Sequence, residues 1–225
     1  MLGHSEGGMI APMVASQRKD IDFSVFLSAP GVMIIDLMVE QNAAVMRSAG
    51  IDSSFSENYK PVYTQVITAI MNAPDTATSK ANALQILNNW EAKADTTDLH
   101  KLGLNSPDNS EDYISELAAI CSSIWFKYFI SFDTQPYLTK LKKVIVLALN
   151  GSRDIQVVAQ QNLPAVRNEL VEGRTRNFEV KELPGLNHLF QVCSKCTVAE
   201  YGELEQTTAP IALQTITGWL NKNVK

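Results

Sequence analysis

The sequence predicts an α/β chain, a parallel sheet with flanking helices and one long helical insertion, and three observations predict it. Residues 22–27 and 143–149 are apolar runs with the near-continuous hydrophobicity of strands covered on both faces. Each runs into a cluster of loop formers, Ser28-Ala29-Pro30-Gly31 after the first and Asn150-Gly151-Ser152-Arg153-Asp154 after the second. Between them, from about Val32 to Tyr137, helical periodicity is unbroken by any strand-like stretch.

Taken in order, the elements follow from local pattern. After Gly3-His4-Ser5-Glu6-Gly7-Gly8, the spacing of Met9, Ile10, Met13 and Val14 predicts a short helix with one apolar face. Pro12 removes a hydrogen bond from a helix interior, at a cost of about 3 kcal/mol when exposed, so a kink or a first-turn position is expected there. In the helical stretch, Tyr59, Val62, Tyr63, Val66, Ile67 and Ile70 mark one apolar face, and Leu84 and Leu87 with Trp90 mark another. Ser110 followed by Glu111 and Asp112 has the pattern of a helix cap with acids in the first turn, and the helix it opens carries Ile114, Leu117 and Cys121. Trp125, Phe126, Tyr128 and Phe129 are expected mainly in the core, with a share in walling a pocket. Leu163, Val166 and Leu170 then predict a helix, residues 178–183 a last strand, and Pro184-Gly185-Leu186-Asn187-His188 its exit loop. Pro210 opens a final helix with Ile211, Leu213, Ile216, Trp219 and Leu220 on its apolar side. The expected organisation is core at 1–31, helical insertion at 32–137 and core again at 138–225.

Composition narrows the function classes. The chain has 225 residues, 45% hydrophobic and 19% charged, the balance of a globular protein with a sizeable core. A net charge of -5 and no Lys/Arg cluster argue against nucleic acid as a partner. The most apolar stretch, 23–39, is interrupted by Ser28, Pro30, Gly31 and Asp36, so no membrane span is expected. Cys121, Cys193 and Cys196 are too few for a disulfide framework or an all-cysteine zinc site, and Cys193 and Cys196 are expected to be ordinary loop thiols. No metal and no organic cofactor is called for.

The residues that carry chemistry lie at the strand exits. Gly3-His4-Ser5-Glu6-Gly7 fits the G-x-S-x-G elbow, in which a serine sits in a strained turn between a strand and a helix. Side chains at Gly3 and Gly7 are expected to collide with that turn. The backbone N–H of Glu6, at the positive end of the following helix, would donate to a developing oxyanion. Serine needs a base, and the chain has three histidines. His4 lies inside the elbow and His100 lies in the helical stretch beside Lys101, with no acid spaced to orient it. That leaves His188 as the base, with Asp154, in the loop after the preceding strand, holding the other imidazole nitrogen. The order Ser5, Asp154, His188 is the chain order of one triad family among the three common ones.

Three segments carry a resemblance: Gly-His-Ser-Glu-Gly-Gly-Met-Ile-Ala-Pro at 3–12, Leu-Ala-Leu-Asn-Gly-Ser-Arg-Asp-Ile-Gln-Val at 147–157 and Leu-Pro-Gly-Leu-Asn-His-Leu-Phe-Gln at 183–191. They look like bacterial α/β-hydrolases of the esterase and serine-aminopeptidase-like group, as does Trp125-Phe126-Lys127-Tyr128-Phe129 ahead of the acid-bearing strand. The resemblance implies the C-terminal part of an α/β-hydrolase fold, with 32–137 as a large helical lid. The implied activity is hydrolysis of a carboxylic ester or related acyl bond through an acyl-enzyme on Ser5, with a small-molecule acyl substrate. Members of that group have further strands before the elbow and a loop that supplies a second oxyanion donor, neither of which is in this sequence. An open sheet edge covered by self-association or a partner is therefore expected. A non-catalytic binding or assembly remnant, and a peptidase or thioesterase of the same fold, are the alternatives.

Overall fold

Four parallel strands, side by side in sequence order, form the sheet of the computed structural model, which describes residues 1–224. They are β1 (Leu2–His4), β2 (Phe23–Leu27), β3 (Ile145–Gly151) and β4 (Phe178–Leu183). β2 and β3 lie in the apolar runs that the sequence singles out. Their register sets Val25 beside Leu147 and Phe26 beside Ala148, and β4 adds Val180 beside Ala148. β1 pairs with β2 alone among the described residues, so it is an edge.

Ten α-helices follow in chain order among the described residues: α1 (Glu6–Gln17), α2 (Ile34–Ser48), α3 (Ser53–Asn72), α4 (Thr76–Glu91), α5 (Thr96–Lys101), α6 (Pro107–Ser122), α7 (Ile124–Ile130), α8 (Gln135–Leu138), α9 (Ala159–Glu172) and α10 (Pro210–Asn223). The chain divides into two units. One holds Met1–Leu37 and Asp133 onward, and the other is Met38–Phe132. The helical unit is narrower than the expected 32–137. The first turn of α2, with Ile34 and Leu37 buried, belongs to the sheet unit, as do residues 133–137.

Strand alternation explains the layers of the sheet unit. On one face Phe26, Val146 and Ala148 pack with Ala11 and Ala15 of α1 and Leu163, Val166 and Leu170 of α9. On the other, Val25, Leu147 and Leu149 pack with Ala212 and Trp219 of α10 and with Leu186 and Phe190 of the loop after β4. Residues that alternate along β3 thus serve opposite layers, which is why that run carries no polar face. α1 runs through Pro12, whose buried ring lies inside the helix rather than in its first turn.

The helical unit is held by α3, α4 and α6. Trp90 of α4 packs its ring 5.1 Å from Phe55 and 4.8 Å from Tyr59, and the Tyr59 and Tyr113 hydroxyls are 2.9 Å apart. Burial raises the Tyr59 phenol well above its ordinary value, so this pair stays neutral. Two expectations are corrected here. The cap of α6 is Ser106, whose hydroxyl accepts from Asn109 N–H ahead of Pro107, while Ser110 is buried inside the helix and donates to Glu91 Oε1 at 2.8 Å. Of the aromatic cluster, Phe126 is core, but Trp125 and Tyr128 are 53% and 54% exposed, so the α7 aromatics divide between core and surface. Among the described residues no helix is long and apolar enough to cross a membrane.

Candidate functional site

Ser5 stands between β1 and α1 at φ 54° and ψ -117°, a left-handed conformation that a non-glycine residue keeps only where its surroundings hold it. The surroundings do so from both sides. Ser5 N–H donates to Leu27 O at 2.9 Å, and Ser5 O accepts from Gly8 N–H at 2.8 Å. A Cβ on Gly3 would lie 2.0 Å from Gly7 O and 2.8 Å from Gly8 N, so glycine is required where strand and helix cross. The expectation for Gly7 is corrected: a Cβ there meets nothing within 4 Å. The second crowded position is Gly8, where a Cβ would lie 2.5 Å from the Ala29 Cβ, because that face of the turn looks at the exit of β2. Glu6 is the first residue of α1, which puts its N–H at the positive end of the helix.

Asp154 lies in the loop after β3 and is buried. Its Oδ1 accepts the N–H groups of Gln156 and Val157, both at 2.9 Å, and its Oδ2 accepts from Asn150 Nδ2 at 3.2 Å and faces His188 Nδ1 at 2.9 Å. A carboxylate only accepts, so His188 carries its proton on Nδ1 and leaves Nε2 as the basic nitrogen. The two loops touch closely enough that a Cβ on Gly151 would lie 2.2 Å from Leu186 O.

The loop bearing His188 is shaped by Asn187. This buried side chain accepts from Leu189 and Gln191 N–H at 3.0 and 2.9 Å and donates to Gln191 Oε1 at 3.0 Å. The His188 carbonyl is 2.8 Å from His4 Nε2 and 3.5 Å from the hydroxyl of buried Ser28, and the His4 and His188 rings are 4.7 Å apart. Burial pulls the His4 pKa below its usual value, which fits a neutral imidazole donating to that carbonyl. The structure therefore joins Asp154 to His188 directly and ties the elbow to the histidine loop through the residue before Ser5. No hydrogen bond joins Ser5 to His188 among the described residues. Such contacts are commonly long until a ligand engages them. His100 is exposed on α5, in the helical unit.

Beyond the histidine, a segment from Cys193 to Gln206 straps both loops. Gln156 Nε2 donates to the Tyr201 hydroxyl at 3.0 Å, and Gln191 Nε2 donates to Tyr201 O and Gln206 O at 3.3 and 2.9 Å. Cys193 and Cys196 are joined in a disulfide, not free thiols as expected. Cα atoms 5.0 Å apart in a tight loop put the sulfurs in bonding range, a distance that spacing alone does not reveal. Buried Glu200 accepts the N–H groups of Ser194, Lys195 and Cys196, and those bonds hold its carboxyl below the ordinary range. Cys193, Cys196 and Glu200 gather their ligand atoms within 4.8 Å of one another. With the sulfurs bonded to each other and the carboxylate holding three amides, the set has no thiolate to offer a metal.

Sequence reasoning passed over Asn150, Asn187, Gln191, Tyr201 and the contact role of His4. Asn187 had a signal: an asparagine in a turn commonly bonds the backbone two residues on. Tyr201 had none, since its partners lie in another loop. The sequence matches no protein-family model and no curated protein.

Proposed function

We propose that the chain is a serine hydrolase of the α/β-hydrolase type, attacking a carboxylic ester or related acyl bond with Ser5. The observation that carries this reading is the buried Asp154–His188 bond at 2.9 Å together with a serine held in the left-handed elbow conformation, whose preceding residue, His4, contacts the His188 carbonyl. Ser5 Oγ adds to the acyl carbon while His188 Nε2 takes its proton, and Asp154 stabilises the imidazolium that results. Glu6 N–H donates to the oxyanion, favoured by the positive end of α1. His188 then returns the proton to the leaving group, and water repeats the sequence in reverse to free Ser5. The role of the helical insertion as a lid belongs to the same proposal and rests on its place in the chain between β2 and β3.

The test is labelling of the purified chain with a fluorophosphonate, the modified residue being located by mass spectrometry, with Ser5→Ala and His188→Ala alongside. Labelling at Ser5 that both substitutions abolish is the expected result. A folded chain that takes up no label rejects the hydrolase reading.

A further inference from the structure

We infer that the Cys193–Cys196 pair is a redox latch on the strap that positions His188, closed by disulfide formation and opened by a dithiol reductant. The inference rests on the triad reading of Ser5, Asp154 and His188. The disulfide sits at the root of the histidine loop: Val192, the residue before Cys193, bridges back to Leu186, and Cys193 Sγ lies 3.7 Å from Gly185 O. Closing the ring aims three successive N–H groups, those of Ser194, Lys195 and Cys196, at the Glu200 carboxylate. Glu200 adjoins Tyr201, and Tyr201 holds Gln156 of the acid loop through its hydroxyl and Gln191 of the histidine loop through its carbonyl. The His188 backbone also lies against the Tyr201 hydroxyl. One short path thus runs from the sulfurs to both partners of the Asp154–His188 bond.

Two further features suit a latch rather than a buried staple. Cys193 is partly exposed while Cys196 is buried, so a solvent thiolate reaches one sulfur and the other leaves. Cys196 sits at φ 58°, a left-handed conformation for a non-glycine residue, which the ring and the Glu200 bonds hold in place. The exchange balances as follows. A dithiol thiolate attacks Cys193 Sγ and forms a mixed disulfide, and the Cys196 thiolate departs and takes a proton. The second thiol of the reductant, deprotonated, closes on its own bonded sulfur and releases Cys193 as a thiol. Two electrons pass from the dithiol, now a disulfide, to the protein.

The experiment uses the full chain equilibrated with reduced or oxidised dithiothreitol, with alkylation mass spectrometry counting free thiols at Cys193 and Cys196. Amide hydrogen exchange is read over 186–206 and over β3, and the rate of fluorophosphonate labelling is read in the same samples. Reduction is expected to speed exchange over 186–206 by up to about twentyfold, the chain-entropy worth of so small a ring, to leave β3 unchanged and to slow labelling, with reoxidation reversing all of it. Unchanged exchange over 186–206 overturns the latch, and so does an equal rise in β3, which makes the disulfide a global staple. Altered exchange with equal labelling rates in both states overturns its control of the site. Altered exchange with no labelling in either state upholds the latch on the loop and rejects the hydrolase reading instead. Cys193→Ser combined with Cys196→Ser is expected to reproduce the reduced state, and the reversible reduction of the unaltered chain decides the matter where that variant does not fold.

Discussion

Alanine at Gly3 and alanine at Gly7 are expected to shift stability in opposite directions, although the G-x-S-x-G pattern treats the two glycines alike. At Gly3 the new methyl lies 2.0 Å from Gly7 O and 2.4 Å from Gly7 C, so the backbone of the first turn of α1 must retreat by more than an ångström. Forcing a methyl into a packed site costs typically about 1–3 kcal/mol, and backbone that cannot rotate away puts Gly3→Ala at about 3 kcal/mol or more. At Gly7, inside α1, the methyl meets open space, and alanine is preferred to glycine in a helix by about 0.5–1 kcal/mol, so Gly7→Ala stabilises by that amount. The chain has two units, so a single melting curve mixes them, and amide exchange of β2 and β3 in increasing urea reports on the sheet unit alone. Fluorophosphonate labelling of Ser5 is expected to survive in Gly7→Ala and to fail in Gly3→Ala. A destabilised Gly7→Ala, or a Gly3→Ala within about 0.5 kcal/mol of the parent, refutes the steric account of the elbow.

Asp154→Asn keeps the volume but loses the carboxylate that fixes the His188 tautomer, and turnover of an activated ester is expected to fall by about 10⁴-fold with the fold intact by circular dichroism. Gly151→Ala places a methyl 2.2 Å from Leu186 O and pushes the histidine loop off the acid loop, and a displacement near 1 Å is expected to cost about 100-fold in labelling rate. Burial pushes the Cys121 thiol up to about 11, so in the native chain iodoacetamide at pH 8 is expected to leave Cys121 unmodified until urea exposes it. Burial lowers the His4 pKa, so the unfolded chain binds that proton more readily, and the stability due to neutral His4 is present above its unfolded value near 6.5 and lost as the pH falls from there towards the folded value. Comparing urea midpoints at pH 7.5 and 5.5 for the parent and His4→Gln checks this: the parent must lose more on acidification, and an equal loss rejects it.

What was legible in the sequence was the part set by local pattern. β2 and β3 announce themselves because a strand covered on both faces has few polar positions, and β4 by the alternation of Phe178 and Val180 with Glu179 and Lys181; Asp154 and His188 fall at the exits of β3 and β4 because loops follow strands. Where two local signals competed, the weaker-looking one won: Ser110 with its acids resembles a cap, but Ser106 ahead of Pro107 starts the helix one turn earlier, since proline suits a first turn and has no N–H to satisfy. Gly7 and Gly8 could not be ranked because the deciding neighbour, Ala29, is distant in the chain. The Gln156–Tyr201–Gln191 bridge was illegible for the same reason, being a fact of proximity between loops, whereas the disulfide closes within one loop and depends on a turn geometry that residue spacing does not fix.

The same proximity explains why the site needs so many supporting groups. Each candidate catalytic side chain leaves the sheet at the same end, which is where loops meet in a parallel sheet, and a loop by itself does not hold an imidazole to a fraction of an ångström. Here the holding is distributed. Asn187 folds the histidine loop onto itself, His4 and Ser28 take its carbonyl, and Asn150 with two backbone amides fixes Asp154. Tyr201 spans the two loops from outside. A buried carboxylate is costly to desolvate unless its oxygens are bonded, and Asp154 has four partners, so its position is fixed by the protein alone. Within the strap from Cys193 to Gln206, Cys196 alone is a buried apolar residue, and it is there that a covalent bond adds to what packing supplies.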